Sequence, residues 1–265
     1  MPGSYLTDLF GLSGKTAVVI GGTGVLGGAM CEALAAAGAH VVIAGRTPEK
    51  SEETQTAIEA AAGSCETYSI DATRRDELTD LVAHLNTAGR SCDVLVNAAG
   101  INAATPFLEI SDDEWHRIFQ VNLDSVRLSC QVFGEWLLKE NRGGENTASI
   151  VNIASMSAII PLSRVFTYSA SKAAVLNLTM NLAREWATQG IRVNALSPGF
   201  FPAEQNRKVL TPERTASILG HTPMDRFGDP AELAGTLLML ASPVAGRFVT
   251  GTNAVVDGGY SAMTI

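Results

Sequence analysis

The stretch KTAVVIGGTGVLG, from Lys15 to Gly27, sets the reading of the whole chain. Lys15–Ile20 is a short run rich in β-branched side chains that ends in glycines, the pattern of a strand buried on both faces. Gly22-Thr23-Gly24-Val25-Leu26-Gly27 follows at once with G-x-G-x-x-G spacing, and Ala, Leu and Met recur at helical intervals from Val25 to about Gly38. Strand, glycine loop and helix in that order make a phosphate cradle. The glycines allow a tight turn and close backbone approach, and the helix N-terminus presents unpaired N–H groups to an anion. Gly21, Gly22, Thr23, Gly24, Val25 and Leu26 are therefore the expected dinucleotide contacts. A glycine-rich turn without a ligand is the plainer alternative, and the strand–loop–helix setting weighs against it.

The same alternation continues outward. His40–Ala44 reads as a strand, Pro48–Ala62 as a helix with proline in its first turn, Glu66–Ile70 as a strand, Arg75–Ala88 as a helix and Asp93–Val96 as a strand. A long helical region from about Asp112 to Lys139 is expected to break near Asn122. Ser149–Ile153 (strand), Val165–Thr188 (helix), Arg192–Ala195 (strand), Pro230–Ala241 (helix) and Asn253–Val256 (strand) complete the series. Repeated strand–helix units predict one α/β domain, a doubly wound parallel sheet with helices on both faces. Ligands of such sheets sit at the carboxyl ends of the strands, so the chemistry is expected in the residues that follow each strand.

Those residues are informative. The second strand ends in Ala44-Gly45-Arg46, with glycine where an acid would bond the ribose hydroxyl of NAD and an arginine next to it. Arginine suits the additional phosphate of NADP, so NADP(H) is favoured and NAD(H) stays open. Asp71 and Ala72 follow the third strand, where Asp71 could bond adenine or cap the next helix. Asn97-Ala98-Ala99-Gly100 follows the fourth, small enough for a flat ligand to lie on the backbone, with Asn97 able to tie neighbouring strands.

Tyr168 and Lys172 lie one helical turn apart in Tyr-Ser-Ala-Ser-Lys, and Ser155 ends an apolar run thirteen residues before Tyr168. A phenol titrating near ~10 needs help to exchange a proton at neutral pH. A neighbouring ammonium favours the phenolate, and a serine hydroxyl can hold the reacting oxygen. The trio suits carbonyl–alcohol interconversion. A hydrolase built on Ser155 lacks the Gly-x-Ser-x-Gly elbow.

Composition narrows the alternatives. The chain has 265 residues, 46% of them hydrophobic, and a formal net charge of −8, which argues against nucleic acid or an anionic membrane as partner. Its four cysteines and four histidines are scattered without metal-ligand spacing, so no metal is expected and a reducing compartment is. No leader and no membrane-length apolar run is visible, making a cytoplasmic protein acting on a small molecule the default.

Together these residues resemble the short-chain dehydrogenase/reductase family over almost the whole chain. The match runs through the glycine loop, Asn97-Ala98-Ala99-Gly100, Asn122 in Val-Asn-Leu, Ser155, Tyr168, Lys172 and Pro198-Gly199. It ends at Val249-Thr250-Gly251 and Val256-Asp257-Gly258-Gly259. The resemblance implies a single Rossmann-type domain with a seven-stranded parallel sheet, commonly assembled as a homotetramer. It implies Tyr168 as general acid/base, Ser155 on the substrate oxygen, and Lys172 lowering the tyrosine pKa and bonding the nicotinamide ribose. Asn122 would hold a proton-relaying water, and Pro198, Gly199 and Phe201 would border the cofactor. Ile20, Ala98 and Ala203 depart from the family's usual threonine, asparagine and threonine, which removes polar contacts around the cofactor.

Within the family, Gly24–Met30, Pro198–Phe201, Glu204–Arg207 and His221–Met224 are most similar to sugar-acid oxidoreductases of the fructuronate/mannonate type. A lid over the substrate is expected at about 200–222, where Arg207, with Arg164 one turn before Tyr168, could pair with a carboxylate. Both arginines could equally be solvated. A 3-oxoacyl thioester reductase is the competing enzyme reading. A non-catalytic dinucleotide sensor or scaffold is the competing class, disfavoured because Tyr168 and Lys172 are both present.

Overall fold

Seven strands hydrogen-bond in parallel in the order β3-β2-β1-β4-β5-β6-β7. They are β1 (Thr16–Ile20), β2 (His40–Gly45), β3 (Ser64–Ser69), β4 (Val94–Asn97), β5 (Ala148–Ile153), β6 (Ile191–Pro198) and β7 (Asn253–Val256). Between them run α1 (Tyr5–Phe10), α2 (Val25–Ala36), α3 (Glu52–Ala60), α4 (Arg75–Thr87), α5 (Asp112–Phe119) and α6 (Ser125–Lys139). Then come α7 (Phe166–Trp186), α8 (Pro212–Gly220) and α9 (Ala234–Ala241). This computed structural model describes residues 4–140, 147–202 and 211–263. Among them no helix is long and apolar enough to cross a membrane.

The unbroken apolar run of β1 is explained by burial on both sides. Val18 and Ile20 join one core with Val42, Leu95, Ile150 and Val193, roofed by Leu78 and Leu81 of α4, Phe133 of α6 and Val175 of α7. Ala17 and Val19 face the opposite way, into Val41, Ile43, Val96 and Val151, with Met30 and Leu34 of α2 and Leu237 and Leu240 of α9. Successive side chains of a strand point to opposite faces, so a strand covered on both must be apolar throughout. The chain steps from β1 out to β3, then returns to place β4 on β1's other side. At that reversal the connecting loops diverge and leave a crevice at the carboxyl edge.

The expected doubly wound α/β sheet is what the chain forms, with element limits moved by a few residues. The helix expected at Pro48–Ala62 opens as a 3₁₀ turn, Pro48–Ser51, before α3, and that at Pro230–Ala241 opens as Pro230–Leu233 before α9. Two helices had no sequence expectation. Helix α1 buries none of its six residues, so no apolar period marked it. Helix α8 is announced only by its cap, in which Thr211 accepts the Arg214 N–H ahead of Pro212. The break expected near Asn122 is a π-turn, Gln120–Asp124, set between α5 and α6.

One polar anchor on the far edge carries a charge. Arg192 is 5% exposed and donates from Nη1 to the Leu240 and Val249 carbonyls and from Nη2 to those of Ala241 and Ser242. The guanidinium thus closes the C-terminal end of α9, where the helix leaves carbonyls unpaired and its dipole favours a cation. Burial pulls its pKa down to about 10, which leaves it charged at neutral pH.

Candidate active site

The glycine loop forms as the motif requires. Gly21 has φ of 88°, and a Cβ there would stand 2.5 Å from the Ala99 nitrogen, so the loops after β1 and β4 pack backbone against backbone. Helix α2 starts at Val25 with Gly24 as N-cap, no capping side chain and no acidic residue in its first turn. Its leading N–H groups are therefore left for an anion.

Two connected clefts run along the carboxyl edge. The first, about 540 Å³, is lined by Gly21, Thr23, Gly24, Arg46, Asp71, Ala72, Ala98, Ala99 and Gly100, with Thr47, Lys50, Thr73 and Arg117 beside them. The second, about 400 Å³, shares Gly21, Gly24, Ala98 and Gly100, and adds Val25, Leu26, Ser155, Tyr168, Lys172, Pro198, Gly199 and Phe201. Together they have the two differing halves that a dinucleotide requires: a cationic end at Arg46 and Lys50, and a proton-transfer end at Tyr168.

Gly45 is fixed by a neighbour. A Cβ at this position would lie 2.5 Å from Thr23 Oγ1 and 2.7 Å from Thr23 Cγ2, so Thr23 occupies the space an acidic side chain would need. Asp71 makes a local turn instead of reaching far: Oδ1 accepts from Thr73 N at 2.9 Å and from Thr73 Oγ1 at 2.8 Å. Burial works to raise its pKa, but the Thr73 hydrogen bonds and the charges of Arg46 and Arg74 together hold it below the usual value.

Not every residue expected at the cleft lines it. Gly22 is buried beneath the loop. Asn97, 2% exposed, faces the core, where Nδ2 donates to Asn152 Oδ1 at 2.8 Å and Asn152 in turn donates to Thr179 Oγ1 at 2.9 Å. This chain ties β4 to β5 and β5 to α7, so the strand-tying role is the one observed. Arg164 is exposed in a left-handed conformation, φ of 64°, and lies outside the cleft linings. Arg207 and Ala203 lie outside the described residues. The segment expected as a lid is anchored at both described ends, since Phe200 and His221 pack their rings on Tyr260 at 5.2 and 4.6 Å.

Ser155, Tyr168 and Lys172 do come together. Ser155 ends the extended run after β5, lines the same cleft as Tyr168, and stands close enough to favour its phenolate. Lys172 Nζ lies 5.8 Å from the centre of the Tyr168 ring and donates to the Ile153 carbonyl at 2.7 Å. Burial lowers the Lys172 pKa to about 8. Burial also raises that of Tyr168, with the Ser155 hydrogen bond pulling the other way. The expected lowering of the tyrosine by Lys172 is therefore not what the protein alone produces: desolvation of the phenol outweighs its hydrogen bond.

Asn122 is buried, with its side chain bonded on both sides. Its Oδ1 accepts the Ile101 N–H at 2.8 Å, and Nδ2 donates to the Ile101 carbonyl at 2.9 Å and to Ser171 Oγ at 3.0 Å. Its amide therefore ties the loop after β4 to the π-turn and to α7. A Cβ at Gly100 would sit 3.5 Å from both Asn122 Oδ1 and Lys172 Nζ, which places the π-turn beside the ammonium. Sequence reasoning missed Lys50, Asn102 and Ser157. Lys50 could have been found four residues after Arg46 in a proline-led turn; the other two carry no motif signal.

This geometry now has relatives. A profile of the family described as Enoyl-(Acyl carrier protein) reductase matches residues 23–261. The chain is a short-chain dehydrogenase/reductase. It is 37% identical to the uncharacterized oxidoreductase UxuB of Bacillus subtilis (strain 168), over 95% of this chain and 96% of that one. It is 34% identical to gluconate 5-dehydrogenase of Gluconobacter oxydans (strain 621H), over 96% and 97% of the two chains. Among solved structures, gluconate 5-dehydrogenase from Burkholderia cenocepacia J2315, in complex with NADP and tartrate, superimposes with a TM-score of 0.90. That chain is 30% identical, with 98% of this chain and 100% of the other covered.

The buried ammonium has a measurable signature. In the folded protein Lys172 gives up its proton near pH 8, whereas in the unfolded chain it keeps it to about 10.5. Between those values the unfolded chain holds the extra proton, so this group makes folding more favourable as pH rises. Urea unfolding should show wild type gaining on the order of 1–3 kcal/mol over Lys172→Met across that range. A constant difference would show that Lys172 is not desolvated as described.

Proposed function

We propose that the protein is an NAD(P)-dependent oxidoreductase that interconverts a ketone and a secondary alcohol on a sugar acid of the gluconate, mannonate or fructuronate class. The observation that carries this is the convergence of Ser155, Tyr168 and Lys172 on the cleft that continues from the glycine loop. The relatives' names, gluconate 5-dehydrogenase among them, support the substrate class. NADP(H) is the favoured cofactor, supported by Arg46 and Lys50 at the cationic end and by a solved relative with NADP. NAD(H) is the second.

The fit of a dinucleotide rests on the free N–H groups at the start of α2 and on the small residues Ala98–Gly100. Gly21, Gly24, Val25 and Leu26 would hold the pyrophosphate, Asp71 and Ala72 would flank the adenine, and Pro198, Gly199 and Phe201 would border the nicotinamide. The bound nicotinamide supplies or accepts the hydride. Tyr168 Oη passes a proton to the carbonyl oxygen on reduction and takes one from the alcohol on oxidation. Ser155 hydrogen-bonds that same oxygen and steadies the charge that develops on it. Lys172, with a pKa near 8, holds a proton at neutral pH in the cleft that Tyr168 also lines, and would bond the nicotinamide ribose.

The chain acts as one domain in this reading, cytoplasmic, with segment 200–222 closing over substrate. Arg207 is the candidate carboxylate partner. Arg164 would need to leave its exposed position to join it. Assembly is as a homotetramer. Exposed apolar side chains support this, among them Phe107, Leu108, Trp115, Phe166 and Met180 in or before α5 and α7, and Val244, Phe248 and Val255 between α9 and the end of β7. A tetramer of two-fold symmetry needs self-complementary faces that cover such residues.

Three measurements test the reading. NADPH oxidation should be found with keto sugar acids such as 5-keto-D-gluconate, and Tyr168→Phe should lower kcat by a factor of about 10³, a size expected for losing a positioned general acid. Absence of turnover on sugar acids, with turnover on 3-oxoacyl thioesters, would move the substrate class to the competing reading. Gly45→Asp alone should impair both cofactors through its clash with Thr23. Thr23→Gly with Gly45→Asp should shift preference toward NADH by roughly tenfold or more, one charge-assisted hydrogen bond's worth. Light scattering should return four copies of the 27.8 kDa chain. A monomer would exclude that assembly.

A further inference from the structure

We propose that Ser157 is a positioning residue whose hydroxyl fixes Ser155 as a hydrogen-bond donor, its single proton offered to Tyr168 in the free enzyme and to the reacting oxygen when substrate is bound. This rests on the reading of Tyr168 as acid/base. Ser155 Oγ accepts twice from the same neighbour: from the Ser157 N–H at 3.2 Å and from the Ser157 O–H at 3.1 Å. A serine hydroxyl has two lone pairs and one proton. With both lone pairs occupied, only the proton remains to be offered, and the cleft that Ser155 lines is the one it shares with Tyr168.

Local backbone geometry makes the arrangement specific. Ser155 is extended, with φ of −167° and ψ of 151°, and the chain then tightens into the 3₁₀ turn Met156–Ala158. That turn swings Ser157 back over the hydroxyl it follows, while Ala158 N donates to the Ser155 carbonyl at 3.0 Å. Ser155 is 8% exposed and Ser157 5%, so the pair is held away from competing water. Ser157 does not line either cleft and acts through its neighbour. Capping the turn needs only the Ser157 N–H, which any residue but proline supplies. The hydroxyl is surplus to the turn and is explained by the chemistry.

The consequence is electronic as well as geometric. A hydroxyl that accepts hydrogen bonds becomes a better donor, because linked hydrogen bonds polarise one another. A stronger donor on Tyr168 favours the phenolate, which is the form required to take a proton from an alcohol. Among the described residues, the titratable groups lining the cleft with Ser155 are Tyr168 and Lys172, both on α7. The turn contributes the neutral Ser155 and Ser157, and the π-turn contributes Asn122. Any change on removing the Ser157 hydroxyl is therefore read at Tyr168, with Lys172 the other group to follow.

Ser157→Ala isolates the effect, since it keeps the backbone bond and deletes one hydroxyl. Phenolate absorbance, taken as the difference from Tyr168→Phe, should show the Tyr168 midpoint rising by about half a pH unit. With 5-keto-D-gluconate and NADPH, kcat should fall about three- to tenfold with KM little changed, the pattern of a contact made in the transition state. Ser157→Thr should restore both. Ser157→Cys, a weaker donor of similar size, should fall between and guards against a folding defect in the alanine variant. An unchanged midpoint and kcat in Ser157→Ala would overturn the inference. An active Tyr168→Phe would instead overturn the acid/base reading, so the two failures are distinct.

Discussion

The site depends on one buried ammonium. Lys172 is 3% exposed, and among the described residues no carboxylate pairs with it; its charge is met by the Ile153 carbonyl at the end of β5 and by the face of Tyr168. Burying a charge on such terms is costly, and the lowered pKa records that cost. The surroundings are arranged to bear it. Asn97, Asn152 and Thr179 lock β4, β5 and α7 together just below, so the carbonyl and the helix that present the ammonium's partners cannot drift apart. The polar network and the proton-transfer group are two levels of one construction.

Much of this was legible in the sequence. The glycine loop, Gly45-Arg46, Asp71-Ala72, Ala98–Gly100 and the serine–tyrosine–lysine trio lie where strand ends were expected, because a parallel sheet delivers every strand's end to one edge. Motif residues of this kind act through backbone position and local spacing, both of which are written along the chain. A break near Asn122 was expected too, though its form, a π-turn, came only with the structure.

What was not legible depends on contacts between distant segments. Nothing in Ala44-Gly45-Arg46 says that Thr23 leans over Gly45, or in Val-Asn-Leu that Asn122 braces both Ile101 and Ser171. The orientation of Arg164 depends on a left-handed backbone at the entry to α7, and arginine gives no hint of it. The pKa of Tyr168 was misjudged for a related reason: a charged neighbour can be counted from the sequence, but the desolvation opposing it can be weighed only once the pocket exists.

The π-turn at Gln120–Asp124 also sets a phase relation. One residue turns an α-helix by roughly 100°, so the wider turn rotates the face of α5 relative to that of α6. Helix α5 keeps its acidic first turn in water and buries Ile118, while α6 buries Val126, Cys130, Phe133 and Leu137 along its length. A regular helix through this region would bring one of these faces out of alignment with the sheet. The irregular turn lets two amphipathic stripes of different origin share a single rod, and it leaves Asn122 at the splice, pointing inward to brace the loop that forms the floor of the cleft.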